Sequence, residues 1–191
     1  IDIVLDAVEE GLVSARSVLP LVLFGHSLGG LVSLTYALSD RPAPDLLVLS
    51  YPWLGNSGMD LESKAASLAA KLLPKMEIPN PLEGDALCRD AGVVQASFDD
   101  PLVYTKTTLG QFAMVFEAQA VALADAGRLD IPTYLFLGTD DEAASPQYSV
   151  PLGEQDGVTR RLWPGLRHEL HNEPEQGEVL GEVVEWLDAN T

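Results

Sequence analysis

The sequence holds a single cysteine, Cys88, which excludes an internal disulfide and any cysteine-based metal cluster. Its surroundings, ALCRDAG, carry no sign of an activated thiol, so it reads as a free structural residue. Histidine is scarce too: His26, His168 and His171 are the three present, and none forms a ligand pair with carboxylates, so no metal site is expected. Basic residues are few, 11 against 29 acidic ones, and the formal charge of −18 opposes nucleic acid and anionic membrane surfaces by simple repulsion. No apolar run approaches the roughly 20 residues that cross a bilayer. Internal repeats and low-complexity tracts are also missing. What remains is a chain of 191 residues, 47% hydrophobic and 21% charged, long enough for one domain with a sizeable core and too apolar for disorder.

The chain opens on Ile1, not Met, inside a helical pattern in which Val4, Val8, Leu12 and Ala15 recur at helical spacing. No capping residue precedes them. The sequence therefore reads as a fragment whose N-terminal part, with any targeting signal, lies elsewhere.

The most informative stretch is Gly25-His26-Ser27-Leu28-Gly29. An apolar run from Pro20 to Phe24 predicts a buried strand before it, and Leu28 to Leu38 predicts a helix after it. A serine at such a sharp strand-to-helix turn takes a strained backbone that only small neighbours tolerate. Gly25 and Gly29 supply them, and Gly30 is expected to let the helix approach the sheet. The hydroxyl is lifted out of the turn, and the helix's positive end faces any oxyanion formed beside it. Serine alone does no chemistry; it needs a base and a group to orient that base.

Three further runs, Asp45 to Ser50, Ile131 to Leu137 and, more weakly, Val158 to Trp163, have the continuous apolar character of strands buried in a parallel sheet. Alternating with helices, they predict an α/β fold. The final helix is expected over Glu173 to Ala189, with Val179, Leu180, Val183, Val184 and Leu187 on one stripe and Pro174 in the first turn. Between Gly55 and Arg128 the alternation breaks. No strand is evident there, while Leu61, Ala65, Leu68, Ala69 and Leu72 share one helical face, and Phe112, Val115, Phe116 and Leu123 share another. An all-helical insertion after a core strand reads as a cap over the carboxyl end of the sheet. The predicted organisation is core over 1–54, cap over 55–128 and core over 129–191.

The strand Leu135-Phe136-Leu137 runs into Gly138 and two adjacent carboxylates, Asp140 and Asp141. An orienting acid belongs at such a rigid strand end. Alternation of direction allows only one of the two to face the serine. His168, in a loop between the last strand and the last helix, is the candidate base. His171, three residues on, reads as a surface residue starting that helix. The order Ser, Asp, His differs from the trypsin-like and subtilisin-like orders and agrees with that of α/β-hydrolases.

With PLVLFGHSLGG at residues 20–30, IPTYLFLGTDD at 131–141, LWPGLRHELHNEPE at 162–175 and, more weakly, SFDDPLVY at 97–104, the chain resembles the bacterial monoacylglycerol lipase group of α/β-hydrolases. The resemblance implies the C-terminal part of a mainly parallel sheet flanked by helices, with a helical cap. It implies a serine esterase acting on monoglycerides, with Ser27 as nucleophile, His168 as base and Asp141, from the family's Gly-x-x-Asp, as acid; Asp140 is the runner-up. The oxyanion donor is the Leu28 backbone N–H. His26, Leu54, Leu68 and Leu72 are the candidate substrate-binding residues, and no cofactor or metal is required. The expected partner is a small lipid ester, with transient membrane contact through the cap, no nucleic acid and a cytoplasmic location. One departure stands out. The family's His-Gly motif, whose loop gives a second oxyanion N–H, does not occur here. The fragment alone is therefore expected to be a poor catalyst. The alternatives are a lysophospholipase, a general carboxylesterase or aminopeptidase-like hydrolase on the same scaffold, and an inert or non-catalytic homologue.

Overall fold

The computed structural model describes residues 1–55, 68–79, 86–141, 144 and 146–191. Its centre is a four-stranded, all-parallel sheet in which β1 (Val22–His26) pairs with β2 (Leu46–Ser50), β2 with β5 (Thr133–Gly138), and β5 with β6 (Val158–Trp163). Every residue of β2 and β5 is buried, as a central parallel strand covered on both faces requires. Three of the predicted strands start later than their apolar runs: β1 at Val22, β2 at Leu46 and β5 at Thr133. The ladder with β2 begins at Val22 and continues through Gly25 to His26, because His26 still pairs with Ser50. The apolar pattern alone would end that strand at Phe24.

Helix α1 (Asp2–Ala15) buries Leu5 and Leu12, not Val4, against Tyr36 of α2 (Leu28–Ala37). The last helix, Gln176–Asn190, packs Trp186 on Tyr134 of β5 with ring centroids 5.5 Å apart. Only Val179 and Val183 of its predicted stripe are buried; Leu180 and Val184 are exposed, and Pro174 precedes the helix instead of opening it.

The insertion departs from the all-helical expectation. Besides α3 (Ala91–Asp99) and α4 (Leu109–Asp125), it contains a two-stranded antiparallel ladder of β3 (Glu77–Pro79) with β4 (Lys106–Thr108). Strands of three residues, exposed or half-buried throughout, leave no alternation to read. Thr108 and Gln111 form a capping box at the start of α4. Within α4 the buried line is Ala113, Val115, Ala118, Gln119 and Ala122, whereas Leu123 is exposed. Residues 68–72 are helical, with Ala70 inward and both Leu68 and Leu72 outward; Leu61 and Ala65 lie outside the described residues. Among the described residues no helix is long and apolar enough to cross a membrane.

Candidate active site

Ser27 stands between β1 and α2 with φ of 51°, a left-handed conformation that a residue with a side chain rarely adopts. Its backbone is held from both sides. The Ser27 N–H donates to Ser50 O at 3.0 Å, and its carbonyl accepts from Leu31 N at 3.1 Å and Trp53 N at 2.9 Å. Strain of this kind persists where surrounding contacts over-determine it. A Cβ on Gly25 would run into the Ser33 hydroxyl and the Gly29 carbonyl, so the turn closes only with glycine at that position. Gly30 permits a close approach as expected, but to Pro52, just past β2, where an added Cβ would stand 2.7 Å from Pro52 Cα. Gly29 has open space around it.

His168 reaches Ser27 from the loop after β6. Its Nε2 lies 2.8 Å from Ser27 Oγ, and its Nδ1 lies 2.6 Å from Asp141 Oδ2. A carboxylate only accepts, so Nδ1 carries the proton and Nε2 is left to accept from the serine hydroxyl. Asp141 is buried, and its Oδ1 accepts from Ala144 N at 3.0 Å. Asp140 is exposed, with its Oδ1 taking the Thr139 hydroxyl. Of the adjacent pair, Asp141 is therefore the one brought to the histidine. Leu28 opens α2 at the first helical position, where an N–H has no intrahelical acceptor.

The histidine loop is built to be rigid. Gly138, ending β5, lies so close under it that a Cβ would strike the Leu166 and Arg167 carbonyls. The fully buried Glu173 accepts from Arg167 N at 2.7 Å and from the Arg89 backbone N–H and Nε at 3.1 and 2.9 Å. Glu169 N donates to Leu87 O at 2.7 Å and Arg167 Nη1 to Cys88 O at 3.4 Å, so the insertion and the histidine loop are fastened to each other on both sides of His168.

His26 packs against His168 and His171, with ring centroids 4.9 and 4.8 Å away, and its Nδ1 lies 3.1 Å from both oxygens of Ser50. Burial above all, then the other two histidines, lowers its pKa to about 3 against the pull of the Ser50 carbonyl. His171 is not the surface residue expected: it is part-buried in a single turn, Leu170–Asn172, and burial lowers its pKa as well. Leu54 is buried in the core, while Leu68 and Leu72 are outward on the insertion. Among the described residues no group of three metal-ligating side chains converges. Sequence reasoning missed Tyr51, fully buried beside His168 with ring centroids 5.3 Å apart. No motif marks it; the one available signal was its place at the end of a core strand, next to the elbow.

Comparison with known proteins agrees with this geometry. The family model for serine aminopeptidase, S33, matches residues 3–175. A putative monoglyceride lipase of Schizosaccharomyces pombe is 30% identical over 88% of this chain, and phospholipase YtpA of Bacillus subtilis is 28% identical over 96%. The chain spans 48% of the first relative's length and 74% of the second's. The crystal structure of Paleococcus ferrophilus monoacylglycerol lipase superposes with a TM-score of 0.86 at 28% identity, covering 98% of this chain and 74% of that one.

Proposed function

This chain belongs to the serine aminopeptidase S33 family of α/β-hydrolases, and from that membership we propose that it carries the catalytic centre of a serine ester hydrolase acting on monoacylglycerol. The observation that bears the most weight is the unbroken chain of hydrogen bonds from Ser27 Oγ through His168 to Asp141, at 2.8 and 2.6 Å, behind a strained elbow. The resemblance to proteins named as monoglyceride lipases supports the substrate class.

The reaction is acyl transfer in two steps. Ser27 Oγ attacks the ester carbonyl as its proton passes to His168 Nε2, and Asp141 stabilises the imidazolium. The Leu28 N–H, at the positive end of α2, donates to the oxyanion. Collapse breaks the bond to glycerol, whose oxygen takes the proton from His168. Water then repeats the sequence at the acyl-enzyme and releases the fatty acid. Residues 55–128 act as the cap; Leu68, Leu72, Leu73, Leu102 and Tyr104, all outward on it, offer the apolar surface for a transient lipid contact.

The experiment compares turnover of monoacylglycerol, lysophospholipid, aryl acetate and an aminoacyl amide by the protein and its Ser27→Ala variant. Monoacylglycerol is expected to be the best substrate, and Ser27→Ala to lose about 10³-fold or more with an unchanged melting temperature. Undiminished turnover by the variant would overturn the nucleophile. Preference for lysophospholipid or amide would move the substrate class to one of the alternatives.

A further inference from the structure

Among the described residues, two besides glycine hold a positive φ: Ser27 at 51° and Tyr51 at 44°. They close adjacent strands of the same sheet, one at the end of β1 and the other at the end of β2. For a bulky aromatic residue this conformation is costly and survives only where the surroundings enforce it. They do so here. The Tyr51 N–H donates to Phe136 O at 3.1 Å, and Pro52 beside it accepts the Ser149 hydroxyl on its carbonyl at 3.1 Å.

The enforced backbone delivers the side chain to one place. Its ring, without solvent exposure, lies against the His168 imidazole at a 55° tilt. Its hydroxyl is enclosed and stands beside the Asp141 carboxylate, in a loose contact that falls short of a well-formed hydrogen bond. Burial first and the Asp141 charge second push the phenol well above its ordinary range, so the proton stays on the oxygen. A buried hydroxyl without a well-made bond is an expense that phenylalanine would avoid.

We propose that Tyr51 is a positioning residue for the Asp141–His168 pair: its ring fixes the imidazole plane, and its hydroxyl dipole tempers the carboxylate's hold on the imidazolium. This rests on Ser27 being the nucleophile that His168 serves. Among the described residues, the groups facing His168 are Ser27, His26 from β1, His171 from the turn after the loop, Asp141 from the end of β5 and Tyr51 from the end of β2. His26 and His171 are both held toward the neutral form by burial. Removing the hydroxyl strips a positive dipole end from beside Asp141. The carboxylate then holds the imidazolium more strongly, and His168 titrates at higher pH.

The test is Tyr51→Phe, which keeps the ring, read in two ways: the pH profile of fluorophosphonate labelling at Ser27, and the titration of the His168 imidazole by nitrogen-15 NMR. Both are expected to move upward by roughly half a pH unit, slowing labelling on the acid limb about 3-fold, with the plateau and KM for ester unchanged. Tyr51→Leu, which also removes the ring, is expected to lower the plateau in addition. Superimposable titrations in Tyr51→Phe and wild type, with a raised melting temperature, would overturn the proposal, since an idle buried hydroxyl gives that result. A wild-type protein that is not labelled at Ser27 would instead strike the nucleophile reading, and the NMR titration would still decide whether Tyr51 acts on His168.

Discussion

At the scale of single residues, the proposed chemistry falls on three positions, Ser27, Asp141 and His168, which hydrogen-bond in series. Ser27 was legible because an elbow needs glycine close by, and Gly25 has no room for a Cβ. The choice between Asp140 and Asp141 was open in the residues themselves, since alternation says that one must turn away without saying which. The structure turns Asp140 to solvent and Asp141 to His168. His171 and Tyr51 were not legible. A histidine three residues from another could face either way, and nothing in a sequence tells that a tyrosine takes φ of 44°. The buried histidines make a prediction of their own. His26 has an ordinary pKa of 6.5 in the unfolded chain and about 3 in the folded one, so the unfolded state binds the extra proton between those values. Stability is therefore present above pH 6.5 and lost as the pH falls, by up to about 1.4 kcal/mol per unit from this residue; His171 acts in the same direction. Denaturant unfolding between pH 6.5 and 5 should show that loss, and His26→Asn should make it visibly shallower. An unaltered slope in the variant would mean that His26 is not held neutral.

At the scale of elements, existence and type were readable and boundaries were less so. The strands β2 and β5 follow from apolar runs of the right length, because central strands of a parallel sheet are buried on both sides; β6, expected to be buried in the sheet, instead lies at the end of the strand order with Thr159 to Leu162 exposed. Where the reading slipped, the cause was local. Leu123 and Leu180 share a helical face with buried neighbours yet lie beyond the edge of what those helices cover. The β3–β4 ladder is held by backbone pairing, which three residues on each side, none of them fully buried, do not announce. Gly138 looked like a generic turn residue, but it is where the acid strand meets the histidine loop. Gly138→Ala is expected to cost about 1–3 kcal/mol, because the obstructing atoms are backbone carbonyls, and to reduce turnover further by displacing His168. Gly181→Ala, in the last helix with open space around it, should be neutral or stabilising by up to about 1 kcal/mol. Thermal melts of the two variants check this; equal effects would mean that the Gly138 contact is not tight.

At the scale of the molecule, residues 27, 141 and 168 come together although 141 positions separate the serine from the histidine. The parallel sheet does this by ending three of its strands at one edge: β1 delivers Ser27, β5 delivers Asp141, and the loop after β6 delivers His168. The order Ser, Asp, His made that convergence readable. Glu173 and Arg89 then tie the insertion to the same loop, a link that no motif reveals because its members lie 84 residues apart. The central claim is that these groups form a working, activated serine. It is tested most directly by fluorophosphonate labelling, with the modified peptide located by mass spectrometry in wild type, Asp141→Asn and Asp140→Asn. The account expects the label on Ser27 in wild type, on the order of 10³-fold slower labelling in Asp141→Asn, and near-normal labelling in Asp140→Asn. A folded protein that takes no label at Ser27, or one slowed equally by both substitutions, would contradict it.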